Sequence, residues 1–279
     1  MKIAVLSGKG GAGKTFVSVN LAVTAGRGTY IDCDVEEPNG RLFLKPSRVK
    51  ETEVHTLLPA FDPQKCTGCR KCVEFCRFHA LAFVGGVPKV FSDVCHACGG
   101  CALVCPSGAV TEAPHFVGKL QSGARGDLRV ITGILELGEA SAVPVICAAL
   151  AEGLQNEGLA VIDCPPGTGC AVMESVAAAD YCVLVAEPTA FGLHNFRMAH
   201  ELVKLLGKPC GVVINKADGE YAPLTEYCLQ NGVRVLRSIP YQPGIAALNA
   251  AGDIACEHDD NEKRLFTELL AVITGEAEA

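Results

Sequence analysis

A glycine-rich turn near the start of the chain, Gly8-Lys9-Gly10-Gly11-Ala12-Gly13-Lys14-Thr15, limits the available folds more than any other segment. It satisfies the pattern G-x-x-x-x-G-K-[ST]. The apolar run Ile3-Ala4-Val5-Leu6 comes just before it and reads as a buried parallel strand. A helix-forming stretch over 14–25 follows. In such a strand–turn–helix the glycines let backbone N–H groups face phosphate oxygens, and the helix N-terminus adds partial positive charge. Lys14 is then placed to reach the β- and γ-phosphates of a nucleotide, and Thr15 to ligate Mg²⁺.

Further on, apolar runs alternate with helical stretches. Residues 29–31 lead into Asp32-Cys33-Asp34, and 36–40 read as loop. Residues 159–162 lead into Asp163, and 181–185 into Glu187-Pro188-Thr189. A helix is expected over 192–206. Residues 210–214 lead into Asn215-Lys216, and 233–238 into Ile239-Pro240. This alternation predicts an α/β fold, a mostly parallel doubly wound sheet with helices on both faces. Ligands of such sheets bind at the carboxyl ends of the strands, where all of these polar residues fall.

Of the sixteen cysteines, eight form two copies of one spacing. Cys66, Cys69, Cys72 and Cys76 read C-x₂-C-x₂-C-x₃-C, and Cys95, Cys98, Cys101 and Cys105 repeat it, closed by Pro106. Bacterial two-cluster ferredoxins hold 4Fe–4S centres with this run, and the fourth cysteine of each run serves the other cluster. Cluster I then takes Cys66, Cys69, Cys72 and Cys105, and cluster II takes Cys76, Cys95, Cys98 and Cys101. Zinc would explain one C-x-x-C pair but not two four-cysteine runs. Arg77 stands where many ferredoxins have proline. His79 and His96 read as exposed or supporting residues rather than ligands.

The cysteine-dense stretch predicts a small α+β ferredoxin-like domain, 59–115, inserted between two parts of the nucleotide domain, 1–58 and 116–279. So small an insert folds poorly without its metal. The remaining cysteines, Cys33, Cys147, Cys164, Cys170, Cys182, Cys210, Cys228 and Cys256, mostly read as small core residues.

With no signal peptide, so many cysteines imply a reducing, cytoplasmic setting. The net charge of −7 argues against non-specific nucleic-acid binding. No apolar run approaches the roughly 18–20 residues of a membrane span. A last helix over 263–273 carries Leu265, Phe266, Leu269, Leu270 and Val272 and ends in a short acidic tail, 275–279. It reads as a core-packing helix, so no direct membrane anchor is expected.

Ordinary phosphate loops do not require a lysine at position 9. The segment from Lys9 to Thr15 resembles the deviant phosphate loop of the MinD/ParA/Mrp class, which includes the nitrogenase iron protein. The resemblance implies that Lys9 crosses a dimer interface to the partner's nucleotide, so that nucleotide drives face-to-face dimerisation. It places Asp32 and Asp34 in a first switch, with Asp34 orienting the attacking water near Mg²⁺ and Asp32 in support. Asp163-Cys164-Pro165-Pro166-Gly167-Thr168-Gly169 resembles the second switch of Mrp-type proteins. There Asp163 holds Mg²⁺ through water and the Gly167 N–H senses the γ-phosphate.

Asn215-Lys216-Ala217-Asp218 fits the N-K-x-D pattern that reads guanine through the aspartate. The resembled class also has an asparagine here, contacting adenine, and Lys9 favours ATP. Pro240 is expected to flank the base.

The whole chain resembles MinD-superfamily ATPases with an inserted ferredoxin domain. The implied function is a Mg-ATP-hydrolysing iron–sulfur protein, slow without a partner, that couples dimerisation to electron transfer. The dimer is with itself or a paralogue, and the outside partner is a redox or cofactor-assembly protein. Two alternatives are an iron–sulfur assembly or delivery ATPase and a MinD-like spatial regulator with a redox-sensing insert. Mrp-type scaffolds carry a C-terminal C-x-C or C-x-x-C that is missing after Asp163. Cys170 has the offset from Asp163 of one bridging-cluster ligand in the nitrogenase iron protein. A second ligand has no counterpart, so a packed or inert thiol is the preferred reading.

Overall fold

The computed structural model describes residues 1–277. Eleven strands are found among them: β1 (Lys2–Leu6), β2 (Arg27–Asp32), β3 (Ser47–Phe61), β4 (Leu81–Val84), β5 (Val87–Val90), β6 (Val110–Arg125), β7 (Asp127–Leu135), β8 (Ala160–Asp163), β9 (Tyr181–Ala186), β10 (Cys210–Ala217) and β11 (Arg234–Pro240). Nine of them form one sheet in the order β11-β10-β9-β1-β8-β2-β7-β6-β3. Every pairing from β11 across to β7 is parallel. β1 lies between strands far away in sequence, as crossover helices on both faces require.

The chain divides into two compact units. The first comprises 1–51, 120–134 and 146–279, and the second 52–119 and 135–145. In the first, Ile3, Val5, Val161, Val183 and Val213 point from the sheet into a core closed by two helices. The helix Lys14–Ala25 meets the helix Asp260–Ala277 there, with Phe16 edge-on to Phe266 at 5.6 Å. Without tryptophan, this core is built from aliphatic side chains and a few aromatic rings. The second unit carries the β4–β5 antiparallel hairpin, whose turn residues Gly85 and Gly86 take φ of 64° and 88°. Both central residues of such a turn need positive φ, which glycine adopts without strain.

Two expectations need correction. The stretch from 47 to 135 holds three long strands, β3, β6 and β7, for which the sequence analysis set out no strands. Along 47–56 of β3 almost every residue is exposed, so no buried face imprints an alternation on the sequence. The last helix runs from Asp260 to Ala277, longer than 263–273. Glu276, expected in an acidic tail, lies in that helix, accepts a hydrogen bond from the Tyr181 hydroxyl and pairs with Arg234. Glu278 and Ala279 lie outside the described residues. Among the described residues no helix is long and apolar enough to cross a membrane.

Candidate functional site

The glycine turn leaves β1 and enters the helix Lys14–Ala25 through Gly13, whose φ is 95°. A Cβ at Gly13 would sit 2.0 Å from Asn215 Nδ2, and one at Gly8 would meet the Asn195 carbonyl oxygen at 2.0 Å. Gly8 and Ala12 shape the turn from behind. Gly10 and Gly11 face open space. Asn215, at the end of β10, donates from Nδ2 to the Ala12 carbonyl at 2.9 Å and pins the turn.

In front of the turn lies a cavity of about 740 Å³. Lys9, Lys14, Thr15, Asp34, Asn215, Lys216 and Pro240 all line it. Phe16, Phe43, Tyr241 and Ile245 add apolar surface to its lining. Asp218 is not among the lining residues, although its sequence pattern matched.

Register explains the acidic pocket behind Lys14. Asp32 and Asp163 end β2 and β8 on the same rung of the sheet. Both are fully buried. Lys14, itself buried, places Nζ 3.0 Å from Asp163 Oδ1 and 3.3 Å from Asp34 Oδ2. The Tyr30 hydroxyl donates to Asp163 Oδ2 at 2.8 Å. Asp32 accepts from the backbone N–H groups of Gly40 at 2.9 Å and Asp34 at 3.2 Å. Burial and the neighbouring Asp163 push the Asp32 carboxyl well above the usual range, while Lys14 pulls it down. Burial alone would lower Lys14, yet Asp163 and Asp34 hold its ammonium above the ordinary value. The Asp34 and Asp163 carboxylates and the Thr15 hydroxyl are the hard oxygen donors Mg²⁺ prefers. The Lys14 ammonium here supplies the positive charge that those carboxylates require.

The Gly167 N–H, expected to face a γ-phosphate, donates instead to the Ser7 carbonyl at 3.1 Å. Gly167 has φ of 94°, and its neighbour Pro166 reaches the cavity wall. One residue that the sequence reading did not single out as a site residue is Glu187, just beyond β9. It pairs with both Lys9 and Lys216. Its only sequence signal was its place at a strand end.

In the second unit the eight cysteines sort into two hollows. Cys66, Cys69, Cys72 and Cys105 line one of about 10 Å³. Cys76, Cys95, Cys98 and Cys101 line the other, of about 240 Å³. Arg70 and Ser107 complete the first. Phe75, Arg77, Phe78, His96 and Glu112 help to wall the second. His96 stacks on Phe78 with ring centroids 3.9 Å apart, and His79 is not among the lining residues.

No three His, Cys, Asp or Glu side chains converge on one point among the described residues, as a single ion would need. A 4Fe–4S cube spreads its four thiolates over four irons, and two hollows of four cysteines match that donor set. Thiolate sulfur also needs N–H partners. The Ala80 N–H donates to Cys76 Sγ at 3.4 Å. Desolvation raises the Cys105 thiol, but the Ser107 hydroxyl and the backbone N–H groups of Ala109, Ser107 and Val110 bring it below the usual range.

Of the other cysteines, Cys33, Cys164, Cys182, Cys228 and Cys256 are buried. Cys147 and Cys170 are exposed, which corrects the packed reading of Cys170. The helix Cys170–Ala177 begins at that residue and presents it at its first turn.

A parallel sheet with a glycine turn at its carboxyl edge, backed by paired carboxylates, defines a P-loop nucleotide-binding protein. A profile of the CobQ/CobB/MinD/ParA nucleotide binding domain matches residues 3–254, and the chain belongs to that family. It is 28% identical over 280 residues to the uncharacterized protein MJ0578 of Methanocaldococcus jannaschii, covering 96% of this chain and 95% of that one. A shorter segment of 84 residues is 34% identical to the pyruvate synthase subunit PorD of Thermotoga maritima, covering 29% of this chain and 85% of the subunit. The fold is similar to that of the septum site-determining protein MinD of Pyrococcus horikoshii, solved with Mg-ADP. The TM-score is 0.59 at 18% identity, over 98% of this chain and 95% of that one.

Proposed function

We propose that this protein binds and hydrolyses Mg-ATP and couples that cycle to electron transfer through two 4Fe–4S clusters. The observation that carries the reading is the sorting of eight cysteines into two sets of four, in a chain that also builds a phosphate turn. Mg-ADP in the similar MinD structure supports the nucleotide assignment. The PorD match supports the modular one, since a segment of this chain corresponds to most of a separate subunit.

Resting contacts define what the residues must do. Lys14 has to leave Asp163 and Asp34 to reach the phosphates. That frees Asp163, with Thr15, to hold Mg²⁺ and Asp34 to orient a water against the γ-phosphorus. Asp32 stays buried and keeps the first switch attached to Gly40. The Gly167 N–H has to exchange the Ser7 carbonyl for a phosphate oxygen. Each exchange occurs only when nucleotide is present, so nucleotide can select between two arrangements. Asn215 holds the turn, and Lys216 and Pro240 border the base. Cluster I would be held by Cys66, Cys69, Cys72 and Cys105, and cluster II by Cys76, Cys95, Cys98 and Cys101. Bound there, the clusters supply one-electron transfer.

The test is Lys14→Ala in anaerobically purified protein. It should abolish hydrolysis and leave about eight irons per chain, two cubes' worth. Loss of iron in that variant, with its fold intact by circular dichroism, would contradict the separation of the two chemistries. A second reading, cluster delivery, draws on the exposure of Cys69 and Cys98, one in each hollow. Transfer of iron–sulfur to an apo-ferredoxin would favour it, and retention would favour electron transfer.

A further inference from the structure

Glu187 is a partly buried carboxylate that bridges two lysines of the nucleotide cavity. Its Oε1 accepts from Lys216 Nζ at 2.7 Å, and its Oε2 pairs with Lys9 Nζ at 2.5 Å. Only 14% of its side chain is exposed. Lys216 also donates to the Gly11 carbonyl at 2.6 Å, so the bridge closes onto the glycine turn. The Lys9 ammonium lies 5.1 Å from the centroid of the exposed Phe191 ring. The side chain that distinguishes this turn is therefore held by its own chain.

We propose that Glu187 is a positioning residue: an internal stand-in for phosphate that holds Lys9 in its own subunit and yields it only to a nucleotide. The inference rests on the proposed nucleotide site and adds a residue that controls it. A carboxylate held between two ammonium groups and partly withdrawn from water is costly to leave unpaired. The bridge avoids that cost, because each oxygen of Glu187 serves a different lysine. When Lys9 moves to a polyphosphate, Lys216 still neutralises the carboxylate. The exchange trades one anion for a more highly charged one, without orphaning either partner. In the absence of nucleotide nothing competes with Glu187, and Lys9 stays home. Neutralising Glu187 removes the competitor.

The experiment is equilibrium titration of the full-length protein with fluorescent Mg-ADP and Mg-ATP analogues. The variants are Glu187→Gln, Glu187→Asp, Lys9→Ala and the double variant Lys9→Ala/Glu187→Gln. Glu187→Gln should bind both nucleotides about tenfold more tightly, a change of about 1.4 kcal/mol. Glu187→Asp keeps the charge and should restore wild-type affinity. In the Lys9→Ala background the gain from Glu187→Gln should shrink, because the two residues are coupled. Equal or weaker binding by Glu187→Gln overturns the inference, and so does an undiminished gain without Lys9. A purely structural role would weaken binding and lower the melting temperature together. If wild-type protein binds neither nucleotide, the nucleotide reading fails, and this inference fails with it. That result is distinguishable from wild-type binding that Glu187→Gln leaves unchanged.

Discussion

Lys14 carries two burdens, one in each state of the site. Without nucleotide it is the counter-ion of Asp163, which is completely buried, and of Asp34. Lys14→Met should therefore destabilise the nucleotide-free protein as well as block phosphate binding. Removing one partner of a buried pair costs roughly 3–5 kcal/mol. Urea denaturation in EDTA checks this; a variant as stable as wild type would show that the carboxylates find other partners. Gly13→Ala meets two obstacles, a left-handed backbone and the Asn215 amide at 2.0 Å. It should cost roughly 1–3 kcal/mol and abolish nucleotide binding, as a nucleotide titration would show.

At this scale fixed spacing is what makes a motif readable: the glycine turn lines one cavity, and the two cysteine runs line two hollows. Asp218, the fourth residue of the N-K-x-D pattern, is not among the residues lining the cavity. Glu187 had no motif to reveal it, since its role depends on partners 178 and 29 residues away.

Among elements, the strands that end in functional residues were legible, because a strand buried on both faces leaves a continuous apolar run. β1, β8, β9 and β10 are of this kind. The long strands β3, at one edge of the sheet, and β6 beside it were not. They are largely exposed or half-buried, and neither an apolar run nor a clean alternation marks them. The closing helix was found, but its length was not. Glu276 looks like tail in sequence and is tied into the helix by Tyr181 and Arg234. Phe266, fully buried against Phe16, joins that helix to the one that begins at Lys14. Phe266→Ala should cost roughly 3–5 kcal/mol in a denaturant titration. Because the helix Lys14–Ala25 starts at the phosphate turn, nucleotide affinity should fall as well. A large stability loss with unchanged affinity would show that the turn does not depend on this packing.

For the molecule as a whole, the proposed function assigns two chemistries to one chain that divides into two compact units. β2 ends in Asp32, and Thr132 of β7 lies opposite that residue. Residues 135–145 belong to the second unit, and the chain returns to the first at 146. The two hollows also differ. Arg70 and the hydroxyl of Ser107 border the first, while Glu112 and aromatic rings border the second, together with Arg77. Positive charge and hydrogen bonds to sulfur raise a cluster's potential. Arg70→Gln should lower the more positive of two potentials and leave the other in place. Redox titration followed by electron paramagnetic resonance would check this, and a shift of both potentials would contradict the assignment.

The central claim is that nucleotide and clusters act on one another. Its most direct test is the reduction potentials of the cluster-loaded protein with no nucleotide, with Mg-ADP and with a non-hydrolysable ATP analogue. The account predicts that at least one potential moves between the ADP and ATP states. Identical potentials in all three conditions would contradict it and leave the cysteine unit as a passenger on a nucleotide switch.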